Sequence, residues 1–228
     1  MPRIFVTGDT HGQLSWSKLN MDNFPEQKKL TREDIVIVAG DWGGLWDNAG
    51  SDRYVQRWYN DKNFQLAWVD GNHENFELLS HFPVESWNGG KVHLISENIV
   101  HLMRGEIYTI GEKTIFCFGG ADSIDKESRT IWISWWPEEI PNNAEMENGF
   151  RNLERVGNKV DYIITHECPT KVYQKIYYPE PIKPYVVSEY LEAIDDIVDY
   201  KQWYFGHHHI DLAVDKKHTA LFNSIVEL

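Results

Sequence analysis

Seven side chains able to bind a metal ion occur at five separate places in the sequence: Asp9, His11, Asp41, Asn72, His166, His207 and His209. They offer oxygen and nitrogen ligands without thiolates, which suits divalent ions such as Mn, Fe, Zn or Ni. One catalytic ion usually takes three or four protein ligands, so the set predicts two divalent ions. Asp41 lies between the two halves of the set and is the best candidate for a shared, bridging carboxylate.

A short apolar run precedes each of these places. The runs are Ile4 to Asp9, Ile35 to Asp41, Leu66 to His73, Asp161 to Glu167 and Gln202 to His209. Apolar runs of this length, with glycine near their ends, predict buried strands. Ligands of α/β proteins bind at the carboxyl ends of such strands, so the polar residues are expected to meet there.

Spacing gives a further expectation. In an extended backbone, residues i and i+2 project to the same side. Asp9 and His11 would therefore face one ion together, as would His207 and His209, with His208 turned away between them.

The remaining segments predict an α/β layered fold with mixed sheets. Val187 to Tyr200 carries an apolar stripe at helical spacing. Glu106 to Gly119 predicts a hairpin, and a second pair of strands is expected at Leu212 to Val214 and Thr219 to Phe222. Ser123 to Asn152 and Tyr177 to Tyr185 are expected to be irregular. We expect a single domain over residues 1–228, with a possible lid or substrate loop at 120–152.

Composition excludes several classes of function. The net charge of −13 would repel the phosphate backbone, so binding to duplex nucleic acid is not expected. No apolar run is long enough to span a membrane. The start of the chain resembles no signal peptide, and the two cysteines, Cys117 and Cys168, are far apart. We therefore expect a cytoplasmic protein with reduced, partly buried thiols; the oligomeric state stays open.

The ordered motifs resemble the calcineurin-like metallophosphoesterase superfamily. They are D-x-H at Asp9 and His11, G-D at Gly40–Asp41, G-N-H-E at Gly71–Glu74, an isolated His166, and G-H-x-H at Gly206–His209. The resemblance implies a four-layer αββα sandwich of two mixed β-sheets flanked by helices. It also implies that Asp9, His11, Asp41 and His209 bind one metal, and that Asp41, Asn72, His166 and His207 bind the other.

The same resemblance places His73 outside the metal ligands, near the leaving group. Two ions can hold and activate a bridging hydroxide, but they do not donate a proton to the departing oxygen. An imidazole can, because its ordinary pKa lies near neutrality. His73 is thus the candidate general acid. Asp41 is the second candidate catalytic residue, because it would bridge the two ions. Asn72 is a candidate substrate-binding residue as well as a metal ligand.

One block departs from the Ser/Thr protein phosphatases of this superfamily. The segment Gly40–Trp46 lacks the G-D-x-V-D-R-G pattern and its phosphate-binding arginine. The departure weakens an assignment as a protein phosphatase or a dinucleoside tetraphosphatase. Lys126 and Arg129 are the candidates to replace that arginine, although a solvated charged loop would have the same composition.

The predicted function is hydrolysis of a small phosphate monoester or phosphodiester. The alternatives are a Ser/Thr-type protein phosphatase, a nuclease for single strands, and a catalytically idle binding protein stabilised by its metals. Stacking on a substrate ring and packing within the fold both remain open for Trp42, Trp132, Trp135 and Trp136. No role is predicted for His81, His93, His101, His208 or His218.

Overall fold

The computed structural model describes residues 1–180 and 185–228, which form two β-sheets with helices on both outer faces. The first sheet has the strand order β13-β1-β2-β3-β6-β5-β4. Numbered along the chain, its strands are β1 (Ile4–Thr7), β2 (Ile35–Val38), β3 (Gln65–Trp68), β4 (Val84–Trp87), β5 (Gly90–Ser96), β6 (Ile99–Leu102) and β13 (Ile225–Glu227). The central strands β1, β2, β3 and β6 are parallel, and antiparallel strands lie at both edges.

The second sheet has the order β11-β12-β10-β9-β8-β7. Its strands are β7 (Glu106–Ile110), β8 (Lys113–Phe118), β9 (Tyr162–Thr165), β10 (Gln202–Phe205), β11 (Leu212–Ala213) and β12 (His218–Ala220). Strands β8, β9, β10 and β12 are parallel, whereas β7 and β11 pair antiparallel at the edges. Both predicted hairpins are confirmed, and both sheets are mixed.

The four layers follow from alternation along the strands, because successive side chains of a strand point to opposite faces. In β1, Ile4 and Val6 pack between the sheets, whereas Phe5 packs on the outer face. In β8, Ile115 and Cys117 point into the same central core, and Phe116 packs outside. The predicted αββα sandwich is thus confirmed.

The helices cover the outer faces. The α-helices are α1 (Gly50–Asn60), α2 (Phe76–Ser80), α3 (Asn143–Arg155), α4 (Thr170–Tyr177) and α5 (Val186–Ile197). Residues of α1 pack on the first sheet, and residues of α3, α4 and α5 pack on the second. Among the described residues, no helix combines the length and apolarity needed to cross a bilayer. Cys117 and Cys168 are unpaired and buried, as expected.

Two element predictions are corrected. The helix predicted to reach Tyr200 ends at Ile197, because Val198 adopts an extended backbone that leads towards β10. The segment expected to be irregular up to Asn152 contains most of α3, which starts at a capping box between Asn142 and Glu145. The second irregular segment, 177–185, falls partly outside the described residues.

A buried ion pair fixes the loop that follows β3. The Arg104 guanidinium donates from Nε and Nη2 to Asp70 Oδ2, at 2.8 and 2.5 Å, and His101 Nε2 lies 3.0 Å from Asp70 Oδ1. Burial opposes ionisation of Asp70, but Arg104 and His101 hold its pKa below the usual range. Arg104 Nη2 also donates to the Glu138 carbonyl at 2.8 Å, so the pair joins the β3 loop to the segment before α3.

We predict that Arg104→Met lowers the free energy of unfolding by about 3–5 kcal/mol, because the change leaves the Asp70 carboxylate buried without its cation. Urea unfolding measures the difference. Arg3→Met is the matched control: it removes an exposed pair with Glu227 and should cost at most about 1 kcal/mol. Equal losses in the two variants would contradict this account of the loop.

Candidate metal centre

The seven predicted ligands follow the carboxyl ends of β1, β2, β3, β9 and β10. Because these strands are parallel within each sheet, their ends open at the same edge of the sandwich. Residues from both sheets meet there: His166 of the second sheet lies 3.6 Å from Asp41 of the first. The convergence expected from the sequence is therefore present in the fold.

One cluster consists of Asp9, His11 and His209. His209 Nε2 lies 3.0 Å from Asp9 Oδ2, and His11 Nε2 lies 3.5 Å from the same oxygen. The two Nε2 atoms are 2.8 Å apart, too close for two bare lone pairs, so a proton or a cation must lie between these groups. Burial favours the neutral acid, but the imidazoles of His166, His11 and His209 hold the pKa of Asp9 well below its usual range.

A second cluster consists of Asp41, Asn72 and His166. The Nδ1–H of His166 donates to the Ala39 carbonyl at 2.9 Å, which leaves Nε2 facing Asn72 Oδ1 at 3.1 Å and Asp41 Oδ2 at 3.6 Å. In the neutral ring Nε2 keeps its lone pair, so these three atoms can all bind one cation. Burial lowers the pKa of His166, but Asp41 and Asp9 outweigh burial and raise it.

Two residues behind this cluster, which the sequence did not reveal, orient Asn72. Ser123 Oγ donates to Glu139 Oε2 at 2.5 Å, so it accepts from Asn72 Nδ2 at 3.0 Å. The hydroxyl therefore turns the amide oxygen of Asn72 towards His166. Ser123 and Glu139 carry no recognisable motif, since their role depends on a contact between distant segments.

His207 lies beside the second cluster. Its ring is 4.9 Å from that of His166, and Nε2 lies 3.6 Å from Glu167 Oε2. Its backbone N–H donates to Asp9 Oδ1 at 2.9 Å. Burial lowers the pKa of His207 to about 4, so the ring is neutral and keeps a lone pair for a ligand.

The extended geometry expected past the strand ends is wrong. His11, Asp41, His207 and His209 have φ values of 45°, 46°, 63° and 52°, in the left-handed region. Each strand has already ended, and the chain turns sharply at the site. His207 and His209 consequently point to different clusters instead of facing one ion together.

His73 and Arg129 meet above these clusters. The Arg129 guanidinium lies along the His73 ring, with Nη1 2.9 Å from Nδ1 and Nη2 3.2 Å from Nε2. Arg129 Nε is also 2.9 Å from Asp125 Oδ1. Burial is the main cause that lowers the pKa of His73, and the Arg129 charge acts in the same direction.

The clusters open into a cleft of about 450 Å³. Its walls include Asp41, Asn72, His73 and Arg129, whereas Lys126 is exposed and does not line it. Of the two candidate cations, the structure thus brings only Arg129 to the site.

Burial decides the question of the tryptophans for two of them. Trp42 is fully buried and packs 5.2 Å from Trp68, and the buried Trp136 packs 5.2 Å from Trp46. Both serve packing. Trp132, by contrast, is half exposed.

Lys18 is a further residue without a sequence signal. Its buried Nζ donates to the carbonyls of Gly8 and Asp9 at 2.8 and 2.6 Å, and to that of Phe222. Burial lowers the pKa of Lys18 to about 8. The lysine fixes the backbone under Asp9 and adds positive charge near a buried carboxylate.

The donor atoms suit divalent cations. Within the groups Asp9–His11–His209 and Asp9–Asp41–His166, one ligand atom of each residue lies within 4.8 Å of the others. Both groups bring carboxylate oxygens and imidazole nitrogens together, which is the donor chemistry of a divalent transition metal.

Comparisons with known proteins identify the family of the chain and a related fold. A family model described as calcineurin-like phosphoesterase matches residues 2–211. A Staphylococcus aureus protein assigned as a 5′-nucleotidase superposes with a TM-score of 0.52 at 14% identity, over 99% of this chain and 50% of that one. A phosphopantetheinyl hydrolase from Mycobacterium tuberculosis gives a TM-score of 0.45 at 16% identity, over 97% and 89%. A search of curated proteins finds no match.

We predict that Gly40→Ala destabilises the protein by more than about 2 kcal/mol. Gly40 has a φ of +98°, and a Cβ there would overlap the His166 ring. Gly50→Ala is the control, because its Cβ would meet no atom within 4 Å. Chemical denaturation measures both, and a Gly40 variant as stable as the Gly50 variant would show that the close approach is not needed.

Proposed function

The chain belongs to the calcineurin-like phosphoesterase family and is a metal-dependent hydrolase, and on this premise we propose that its site is a two-metal centre that hydrolyses a phosphate ester of a small molecule. One observation carries the proposal. Asp41 Oδ2 lies 3.8 Å from His11 Nε2 and 3.6 Å from His166 Nε2, so a single carboxylate oxygen faces both clusters. Such an oxygen can bridge two ions.

The ligands divide between two positions. Asp9, His11, Asp41 and His209 would hold one ion, and Asp41, Asn72, His166 and His207 the other. Asp41 is a better bridge than Asp9, because Asp41 Oδ2 faces the free Nε2 of His166, whereas Asp9 faces Nδ1, whose proton is donated to the Ala39 carbonyl. The set accepts Mn, Fe, Zn or Ni. When bound, two such ions supply Lewis acidity and lower the pKa of a water molecule to near neutrality.

Protein side chains contribute orientation and a proton. Arg129 would pair with a phosphoryl oxygen, for which a guanidinium is well suited. The His73 backbone N–H donates to Asp41 Oδ1 at 2.8 Å, which fixes His73 beside the bridge without making it a ligand. A phosphoryl anion next to Arg129 would offset the charge that now disfavours protonated His73, so that His73 can donate a proton to the leaving oxygen.

We predict that Mn²⁺ raises the thermal unfolding temperature of the metal-free protein. Binding to the folded state alone stabilises by about 2.7 kcal/mol at one hundred times the dissociation constant. Asp41→Asn should abolish most of this increase, because it removes the charge shared by both positions. Differential scanning fluorimetry during a Mn²⁺ titration measures the effect.

Asp22→Asn changes the same functional group on an exposed loop and should respond to Mn²⁺ like the wild type. Hydrolysis of p-nitrophenyl phosphate is followed in parallel. Stabilisation without turnover of any ester would favour the idle binding protein, and no stabilisation at all would overturn the metal centre.

We predict that His73→Asn lowers kcat by about 10²- to 10⁴-fold for an alkyl phosphate such as ribose 5-phosphate. The loss should be smaller for p-nitrophenyl phosphate, whose weakly basic leaving group needs less help from an acid. The increase in unfolding temperature with Mn²⁺ should stay. His81→Asn, at an exposed histidine, is the control; equal losses on the two esters would argue against a proton donor.

A further inference from the structure

The cleft beside the metal ligands is larger than a phosphoryl group needs. Its volume of about 450 Å³ lies within the range of whole small-molecule sites, about 300–1,000 Å³. One half is formed by the candidate ligands, His73 and Arg129. The other half has a different character, and its residues are Asp122, Ile124, Tyr173, Tyr177, Tyr185 and His208.

Three tyrosines form the aromatic wall of this second half. The rings of Tyr173 and Tyr177 lie 4.6 Å apart, and those of Tyr173 and Tyr185 lie 6.0 Å apart. All three are half-buried and border the cleft, so each keeps part of its surface for a ligand. Tyrosine offers a rigid, flat apolar face on which another ring can stack.

His208 attaches this wall to the metal ligands. Its Nδ1 lies 3.0 Å from the Tyr177 hydroxyl, and its Nε2 lies 3.1 Å from Glu167 Oε1. An Nε2–H that donates to Glu167 leaves Nδ1 to accept from Tyr177. Because His208 stands between His207 and His209, the wall has a fixed position relative to the reaction centre.

Charge limits what the second half can hold. Carboxylates of Asp122, Asp125 and Glu167 line the cleft, and Arg129 is the only lysine or arginine among the described residues that line it. Asp122 Oδ2 is buried and accepts no hydrogen bond from residues 1–180 or 185–228. A second anionic group would meet unfavourable charge here, whereas a ring bearing an N–H donor would satisfy Asp122.

We propose that the aromatic wall selects phosphate monoesters whose alcohol portion carries a flat, uncharged ring with hydrogen-bond donors, as in a nucleoside monophosphate. The inference rests on the proposed function, since it concerns the leaving-group side of the same cleft. The ring stacks on Tyr173 while the phosphoryl group lies at the metal ligands. Polyphosphates and acidic phosphopeptides are disfavoured by the carboxylates.

The test compares adenosine 5′-monophosphate with ribose 5-phosphate, which has the same sugar and phosphate but no base, in the Mn²⁺-loaded enzyme. We expect kcat/KM to be about tenfold higher for the nucleotide, through a lower KM, as one ring-stacking contact allows. Tyr173→Leu should lower kcat/KM for the nucleotide more than for ribose 5-phosphate, and so remove this preference. Tyr173→Phe, which keeps a ring, should retain it. Adenosine 5′-triphosphate should be a poorer substrate than the monophosphate.

Tyr178→Leu is the matched control, because Tyr178 is 81% exposed and does not line the cleft. Equal kcat/KM for the two monophosphates in the wild type would overturn the inference and leave the phosphoesterase intact. So would a Tyr173→Leu variant that loses activity on both to the same extent. No hydrolysis of any ester, p-nitrophenyl phosphate included, would overturn the proposed function and the inference together.

Discussion

The burial of two carboxylates, Asp9 and Asp41, is the constraint on which the site depends. Both are almost completely inaccessible to water, and a buried carboxylate is costly unless it is paired and hydrogen-bonded. The second sheet supplies much of the compensation, through His166, His209 and the His207 backbone N–H.

These pairs also raise the pKa values of two histidines. Burial lowers the pKa of His166, but the nearby carboxylates outweigh it, and the hydrogen bond to Asp9 raises the pKa of His209. In the metal-free protein these pairs stabilise fully below the ordinary histidine pKa, and their contribution is lost as pH rises through the raised values. Divalent cations would replace these protons, so metal binding and proton release are linked.

The turns that carry the ligands must be held by the surrounding fold, because a left-handed backbone is unfavourable for residues other than glycine. The backbone N–H groups of Thr10 and His11 both donate to the Asp41 carbonyl, at 3.1 and 2.8 Å, and Gly12 N–H donates to the Trp42 carbonyl at 2.8 Å. These bonds lock the loop after β1 to the loop after β2. The rigidity of the site therefore comes from pairing between the loops as well as from the strands beneath them.

Buried parallel strands are easy to predict, because each reads as an uninterrupted apolar run such as Ile35–Val38, and the polar residues after them mark the site. What the sequence could not predict depends on contacts between distant segments. The contact of Ser123 with Asn72 and Glu139 joins three parts of the chain, and neither Ser123 nor Glu139 has a local signal. His208 received no role because extended geometry turned it away, whereas the sharp turn at His207 places it between Glu167 and Tyr177. The helix α3 was missed because its exposed face carries polar residues typical of loops.

The acidity of the chain and its proposed activity on phosphate esters are compatible because the charge in the cleft is distributed unevenly. At one end Asp9 and Asp41 attract cations, and two bound divalent ions would exceed the charge of the two carboxylates and make that end positive. Arg129 adds to it, held in place by Asp125. Between His207 and the tyrosines, burial opposes ionisation of Glu167, but His208 and His207 outweigh it and lower its pKa to about 2, so Glu167 stays ionised. A molecule with one phosphoryl group and a neutral ring matches this field in a single orientation. A polyanion would also place negative charge next to Glu167. The carboxylates near the tyrosines therefore restrict the substrates, whereas Asp9 and Asp41 create the affinity for metal.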